Sequence, residues 1–246
     1  MQCIKIISQI MSEETKQAAR IQTSILNSCE KKVLVWMAER MPAPVTSDML
    51  TFVGFLGACI VAAGYALSNL NLLWLWLANL GLLVNWFGDS MDGSLARVRR
   101  IQRKTYGFYI DHNVDIINET IMFIGVGVSP LVNMSFAMLA LVAYFMLSIY
   151  VYINCHLKGE MRLTYAGLGP TEFRLLLVMV NILFMYIPWL TNWKHPITLF
   201  NTHFMVGIFD YITVAISILL FVFYLAGFFR DARYFSKLDP PVKKEE

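Results

Sequence analysis

Charged residues are scarce in this 246-residue sequence: Asp, Glu, Lys and Arg make up 15%, against 57% hydrophobic residues. A soluble domain usually carries about 25% charge and about 45–50% apolar residues. The deficit excludes an ordinary soluble fold and points to a chain largely surrounded by lipid. Cysteine is equally sparse. Cys3, Cys29, Cys59 and Cys155 have neither the spacing of a disulfide framework nor that of a zinc site, so they read as single thiols. The net charge is only +3, with no basic stretch interleaved with aromatics, which excludes a nucleic-acid partner. Repeats and low-complexity segments are absent, so one domain is expected. A secretory signal is not expected either: the apolar stretch Ile4–Ile10 is short, holds Lys5 and Gln9, and lacks a small-residue cleavage site.

Long apolar runs are what the sequence has. Six stretches, near 49–69, 72–92, 107–130, 133–156, 172–190 and 205–229, match the roughly 20 residues that cross a bilayer. The expected fold is all-α, a polytopic membrane protein with six transmembrane helices. Basic residues are one-sided. Six precede the first span, five separate spans two and three, three flank the connection into span five, and five follow span six. That leaves only Lys194 on the other side. The positive-inside rule then places both termini in the cytoplasm. Residues 12–41 read as one amphipathic interfacial helix, capped by Ser12, with Ile21, Ile25, Cys29, Val33, Trp36 and Met37 on one face. Pro42 and Pro44 end it. The expected organisation is a 1–11 extension, the 12–41 helix, a 42–230 membrane domain and a 231–246 cytoplasmic tail. Residues 188–204 read as an interfacial loop, and the end of the tail as disordered.

Against this apolar background stand Asp89 and Asp92, three apart, and Asp111 and Asp115, four apart. On helices each pair shares a face. Ionisable groups at membrane depth are costly and mark functional sites. Four carboxylates converging in a partly dry site repel one another unless cations neutralise them. Two Mg²⁺ or Mn²⁺ ions would do so and would leave coordination positions for phosphate oxygens. Gly93 and Gly107 allow a ligand to approach the helix backbone closely. Arg97 is permanently charged and can fork onto a phosphate. Acids, small residues and an arginine together indicate a cation-bridged pyrophosphate at the cytoplasmic face.

Written out, the pattern is Asp89-x-x-Asp92-Gly93-x-x-Ala96-Arg97, nine residues, then Gly107-x-x-x-Asp111-x-x-x-Asp115. It resembles the signature of the CDP-alcohol phosphotransferase family, with all eight fixed residues present. Pro44, Leu50, Thr51 and Gly54 resemble that family's lead-in to its first span. The resemblance implies a phospholipid-synthesising transferase. It would displace CMP from a CDP-linked lipid, CDP-diacylglycerol in the preferred reading, with the hydroxyl of a small polar alcohol, phosphorylated or not. By the resemblance, Asp89, Asp92, Asp111 and Asp115 hold two metal ions and Asp115 is the general base. Asp89, Gly93, Ala96, Arg97, Gly107 and Asp111 line the nucleotide. The resemblance also implies a homodimer.

Other features discriminate less. In the family the start of span five borders the cavity, so Lys158, Arg162, Glu172 and Arg174 are the expected acceptor-binding residues, their cations suiting an anionic acceptor. Ile116 stands where several glycerophosphate-using members carry Lys. His112 is a weak pointer to the amino-alcohol branch, which uses CDP-choline or CDP-ethanolamine with diacylglycerol. Arg99, Arg100, Arg103 and Lys104 read as a head-group-facing patch. Glu119 reads as a support for Asp115 or an interhelical hydrogen bond, and Asp210 as structural. A divalent-cation transporter is the rival from another class, but it calls for polar or broken helices along a whole path, often in inverted repeats.

Overall fold

A computed structural model describes residues 19–21, 26–162, 169–199 and 201–241. Helix α1 (Asn27–Arg40) precedes α2 (Ser47–Leu67), α3 (Leu75–Val98), α4 (Lys104–Val128) and α5 (Met134–Lys158). Then come α6 (Pro170–Tyr186), the short α7 (Pro188–Asn192) and α8 (Ile208–Leu238). Strands β1 (Ala19–Ile21) and β2 (Glu160–Arg162) pair in parallel. Strands β3 (Lys194–Leu199) and β4 (Thr202–Gly207) form an antiparallel hairpin.

The fold is all-α in its membrane part. Among the described residues, α2, α5 and α8 are long and apolar enough to cross a membrane. The other three helices of the expected six are present with a different character. α6 has 17 residues. α3 and α4 are longer, 24 and 25 residues, but carry the polar and acidic side chains of the sequence motif.

Small residues bring the site-bearing helices together. Apolar surface gives little drive for association in lipid, so packing depends on close backbone approach. α2 and α3 achieve it at glycine: a methyl group at Gly88 would lie 2.2 Å from the Gly54 amide nitrogen. On another face of α2, a methyl group at Gly125 of α4 would lie 2.4 Å from the Ala62 Cα. Thus α2 is the shared partner that holds α3 beside α4. Two buried apolar clusters complete the packing. Leu34, Ala38, Leu50, Met91 and Leu95 join α1, α2 and α3 next to the motif. Val61, Tyr65, Leu75, Ala78, Ala137, Phe184 and Phe209 fill the opposite half.

Three expectations change. The helix expected from residue 12 begins at Asn27; residues 1–18 and 22–25 lie outside the described residues. Ala19–Ile21 is strand, because its backbone finds a partner 141 positions away at Glu160–Arg162, which local periodicity cannot register. The buried stripe of α1 is Leu34 and Ala38, with Met37 and Met41 packed against them. Val33 and Trp36, on the apolar face expected to meet the membrane, are exposed. Second, the interfacial loop is largely the β3–β4 hairpin, fixed to α8 by a stack of His195 on Tyr211 with their polar atoms 2.9 Å apart. Third, α8 continues through Leu238; residues 242–246 of the expected disordered tail lie outside the described residues.

Candidate active site

Asp89 lies near the C-terminal end of α3, and Asp111 and Asp115 lie one turn apart near the start of α4. One carboxylate oxygen from each falls within 4.8 Å of the others. Arg174 of α6 joins them, its Nη2 donating to Asp89 Oδ2 at 2.8 Å. Three acids around one arginine leave an excess of negative charge. Hard cations take oxygen ligands at about 2.0–2.6 Å, so oxygens this close can share one ion after small rotamer changes. The residues therefore fit a Mg²⁺- or Mn²⁺-type ion by geometry and by donor chemistry.

Asp92 is handled differently. It is buried and stands outside that three-residue group. Its Oδ2 accepts from Thr51 Oγ1 at 2.7 Å, and its other oxygen accepts from the Gly93 amide. Ser47 Oγ donates to the Asp92 carbonyl at 3.0 Å. Ser47 and Thr51 at the start of α2 thus orient Asp92 in the C-terminal part of α3. Arg97 is exposed and donates to Ser94 Oγ at 3.0 Å. Its guanidinium covers Gly93, where a Cβ would come within 3.3 Å of Arg97 Nη1. Ala96 is half-buried beside it, and a Cβ at the exposed Gly107 would meet nothing within 4 Å.

The expected acceptor residues divide. Arg174 belongs to the acid cluster. Lys158 pairs with Asp231 of α8 at 2.8 Å, and the other Asp231 oxygen accepts from the Tyr150 hydroxyl at 2.5 Å. Glu172 accepts from the Gly169 amide, capping α6, and from the Leu26 amide at the start of α1, both at 2.9 Å. Arg162 closes β2, and its side chain lies outside the described residues. His112 sits between the rings of Phe108 and Tyr152, with centroids 4.1 and 4.8 Å away. Glu119 lies one turn from Asp115 and faces Tyr144 of α5.

Two contributors had no signal of their own in the sequence. Arg99 does not face head groups. It donates to the carbonyls of Met41, Pro42, Ala43 and Val45 at 2.5–3.3 Å, fastening the α1–α2 connection to the end of α3. Glu30, on the buried side of α1, accepts from Trp86 Nε1 and Thr171 Oγ1, both at 2.7 Å. An acidic residue one turn before Leu34 resembles any solvent-facing glutamate until the helices are assembled.

Comparison with known proteins places this geometry. The chain is 28% identical over 156 residues to an archaetidylinositol phosphate synthase of Methanothermobacter thermautotrophicus, covering 62% of this chain and 74% of that protein. It is 27% identical over 140 residues to an archaetidylinositol phosphate synthase of Pyrococcus horikoshii, covering 57% and 70%. Residues 45–219, from the lead-in to α2 into α8, match the CDP-alcohol phosphatidyltransferase family. That stretch contains the whole motif, the arginine on Asp89, the apolar helices α2 and α5 and the first part of α8, so the chain is an integral membrane protein that belongs to the CDP-alcohol phosphatidyltransferase family.

Proposed function

We propose that this protein transfers the phosphatidyl group of a CDP-linked lipid, CDP-diacylglycerol in the simplest case, to a hydroxyl of a phosphorylated polyol, and releases CMP. The observation that carries the reading is the convergence of Asp89, Asp111 and Asp115 from two helices within 4.8 Å, with Gly93 and Arg97 following Asp89 along α3. A phosphorylated polyol is favoured over other alcohols because the two relatives are inositol phosphate lipid synthases by name. Arg174 on the acid cluster supplies the nearby cation for an anionic acceptor.

In this reading Asp89, Asp92, Asp111 and Asp115 hold divalent cations. When bound, these neutralise the diphosphate and the departing CMP, the dominant requirement of phosphoryl transfer. Gly93, Ala96, Arg97 and Gly107 line the nucleotide, Arg97 paired with phosphate oxygen. Asp115 accepts the proton of the acceptor hydroxyl. That oxygen bonds to the lipid-linked phosphorus as the bond from that phosphorus to the CMP oxygen breaks. All six long helices, α2 to α6 and α8, cross the membrane, with both termini and the site cytoplasmic. α1 rests at the interface, with exposed Trp36 and Val33 toward lipid.

The test is CMP release by the purified chain with CDP-diacylglycerol, Mg²⁺ or Mn²⁺, and a panel of inositol phosphate, inositol, glycerol phosphate and serine. Inositol phosphate is expected to give the highest kcat/KM. Faster turnover with an uncharged alcohol overturns the acceptor assignment, and no CMP with any acceptor overturns the reaction. Cysteines introduced at 192–199 should react with an impermeant label from outside, and those at 97–106 should not.

A further inference from the structure

Helix α1 contributes nothing to the acid cluster, yet its first turn is tied to both helices that make the Asp89–Arg174 pair. Glu30 Oε1 accepts from Trp86 Nε1 at 2.7 Å and lies 3.5 Å from Ser90 Oγ. These α3 residues stand three before and one after Asp89. The same oxygen accepts from Thr171 Oγ1 at 2.7 Å, three residues before Arg174 on α6. The connection is reciprocal. Glu172 of α6 reaches back to the Leu26 amide at 2.9 Å while capping its own helix through the Gly169 amide. Two carboxylates, one from each helix, therefore clasp the N-terminal turns of α1 and α6 and fasten both to α3.

We infer that Glu30 is a positioning residue for the reaction proposed above: through this clasp it sets the register of α6 against α3, and with it the Arg174–Asp89 contact. Arg174 can meet Asp89 only if α6 enters the bundle at one height and rotation. One helical residue shifts a side chain by about 1.5 Å along the axis and about 100° around it. Among the described hydrogen bonds, Arg174 to Asp89 is the one direct α3–α6 bond at this end. Glu30 bridges the two helices within one turn of both partners. Residues that orient a ligating carboxylate typically alter metal affinity by about 10–100-fold, although they never touch the metal.

The experiment uses the full chain in lipid nanodiscs. It measures Mn²⁺ bound at equilibrium from the loss of the free-ion paramagnetic resonance signal, together with kcat and KM for CMP release and Tm. Glu30→Ala is expected to weaken Mn²⁺ binding by about 10-fold and to lower kcat, at a temperature well below its Tm. Glu30→Gln retains an acceptor oxygen for Trp86 and Thr171, so its Mn²⁺ affinity should return to within a few-fold of the starting protein. Tyr65→Phe removes a buried hydroxyl bonded to Asn181 at 2.8 Å in the opposite half. It should lower Tm without moving Mn²⁺ affinity, separating positioning from general destabilisation. If Glu30→Ala does not fold, Trp86→Phe and Thr171→Val each remove one donor and should each weaken Mn²⁺ binding. Unchanged Mn²⁺ affinity in the folded members of this set overturns the clasp. A starting protein that binds Mn²⁺ but releases no CMP overturns the proposed reaction, while the comparison among variants still decides the role of Glu30.

Discussion

Asp115 and Asp210 are the same residue type on long helices of one protein, and their surroundings are opposite. Asp210 is fully buried near the start of α8. Its oxygens accept from the Asn133 amide at 2.7 Å, the Asn133 side chain at 2.9 Å and the Gly207 amide at 2.9 Å. The negative charge faces a helix N-terminus and three donors, an arrangement that satisfies a buried carboxylate. Asp115 instead shares its space with Asp89 and Asp111. The first arrangement stabilises a fold. The second is stable only with added positive charge, and that is where chemistry can be done. Asp231 belongs with Asp210: Lys158, Arg230 and Tyr150 surround it.

The sharpest way to break this contrast is to neutralise each acid in turn. Asp115→Asn should lower kcat by about 10²–10⁴-fold, the usual cost of losing a general base, while Tm holds or rises because a repulsion is removed. Asp210→Asn should do the reverse. It turns an amide toward amide donors and should cost about 2–4 kcal/mol, since hydrogen bonds to charged groups are worth about 1.5–3 kcal/mol each, with kcat per folded molecule intact. CMP release and thermal unfolding on both proteins check this. Equal activity loss in both would erase the distinction.

Metal linkage gives the next largest effect. EDTA should abolish CMP release, and Mg²⁺ or Mn²⁺ should restore it. Mn²⁺ at 100 times its dissociation constant should stabilise the folded chain by about 2.7 kcal/mol. The gain should persist in Asp210→Asn and vanish in Asp111→Asn. Activity that survives EDTA would remove the reason for gathering the acids.

The smallest effect concerns the packing that gathers them. Gly88→Ala places a methyl group 2.2 Å from backbone, so α2 and α3 must separate. Overpacking of this kind costs about 1–3 kcal/mol. Because Gly88 adjoins Asp89, kcat should fall with stability. Gly107→Ala, which meets nothing within 4 Å, should leave Tm unchanged and raise only the KM for the CDP-linked lipid. Parallel Tm and KM measurements on the two variants check the difference.

The apolar runs and the eight motif residues were enough to identify an all-α membrane chain and its family. Those features are local: hydropathy acts over one helix, and the motif spans one helical turnaround. What only the tertiary structure decided are contacts between distant segments. The β1–β2 pairing overrode helical periodicity at 19–21 because backbone hydrogen bonds do not depend on side-chain pattern. Lys158, Glu172 and Arg174 look alike as a polar flank in sequence. Packing turned them into an ion pair to α8, a helix cap and a partner of Asp89, respectively. Glu30 and Arg99 carry no periodic or motif signal, since the donors to Glu30 lie 56 to 141 positions away and the acceptors of Arg99 54 to 58. A charge's role depends on what desolvates and surrounds it, and that is settled only when the helices meet.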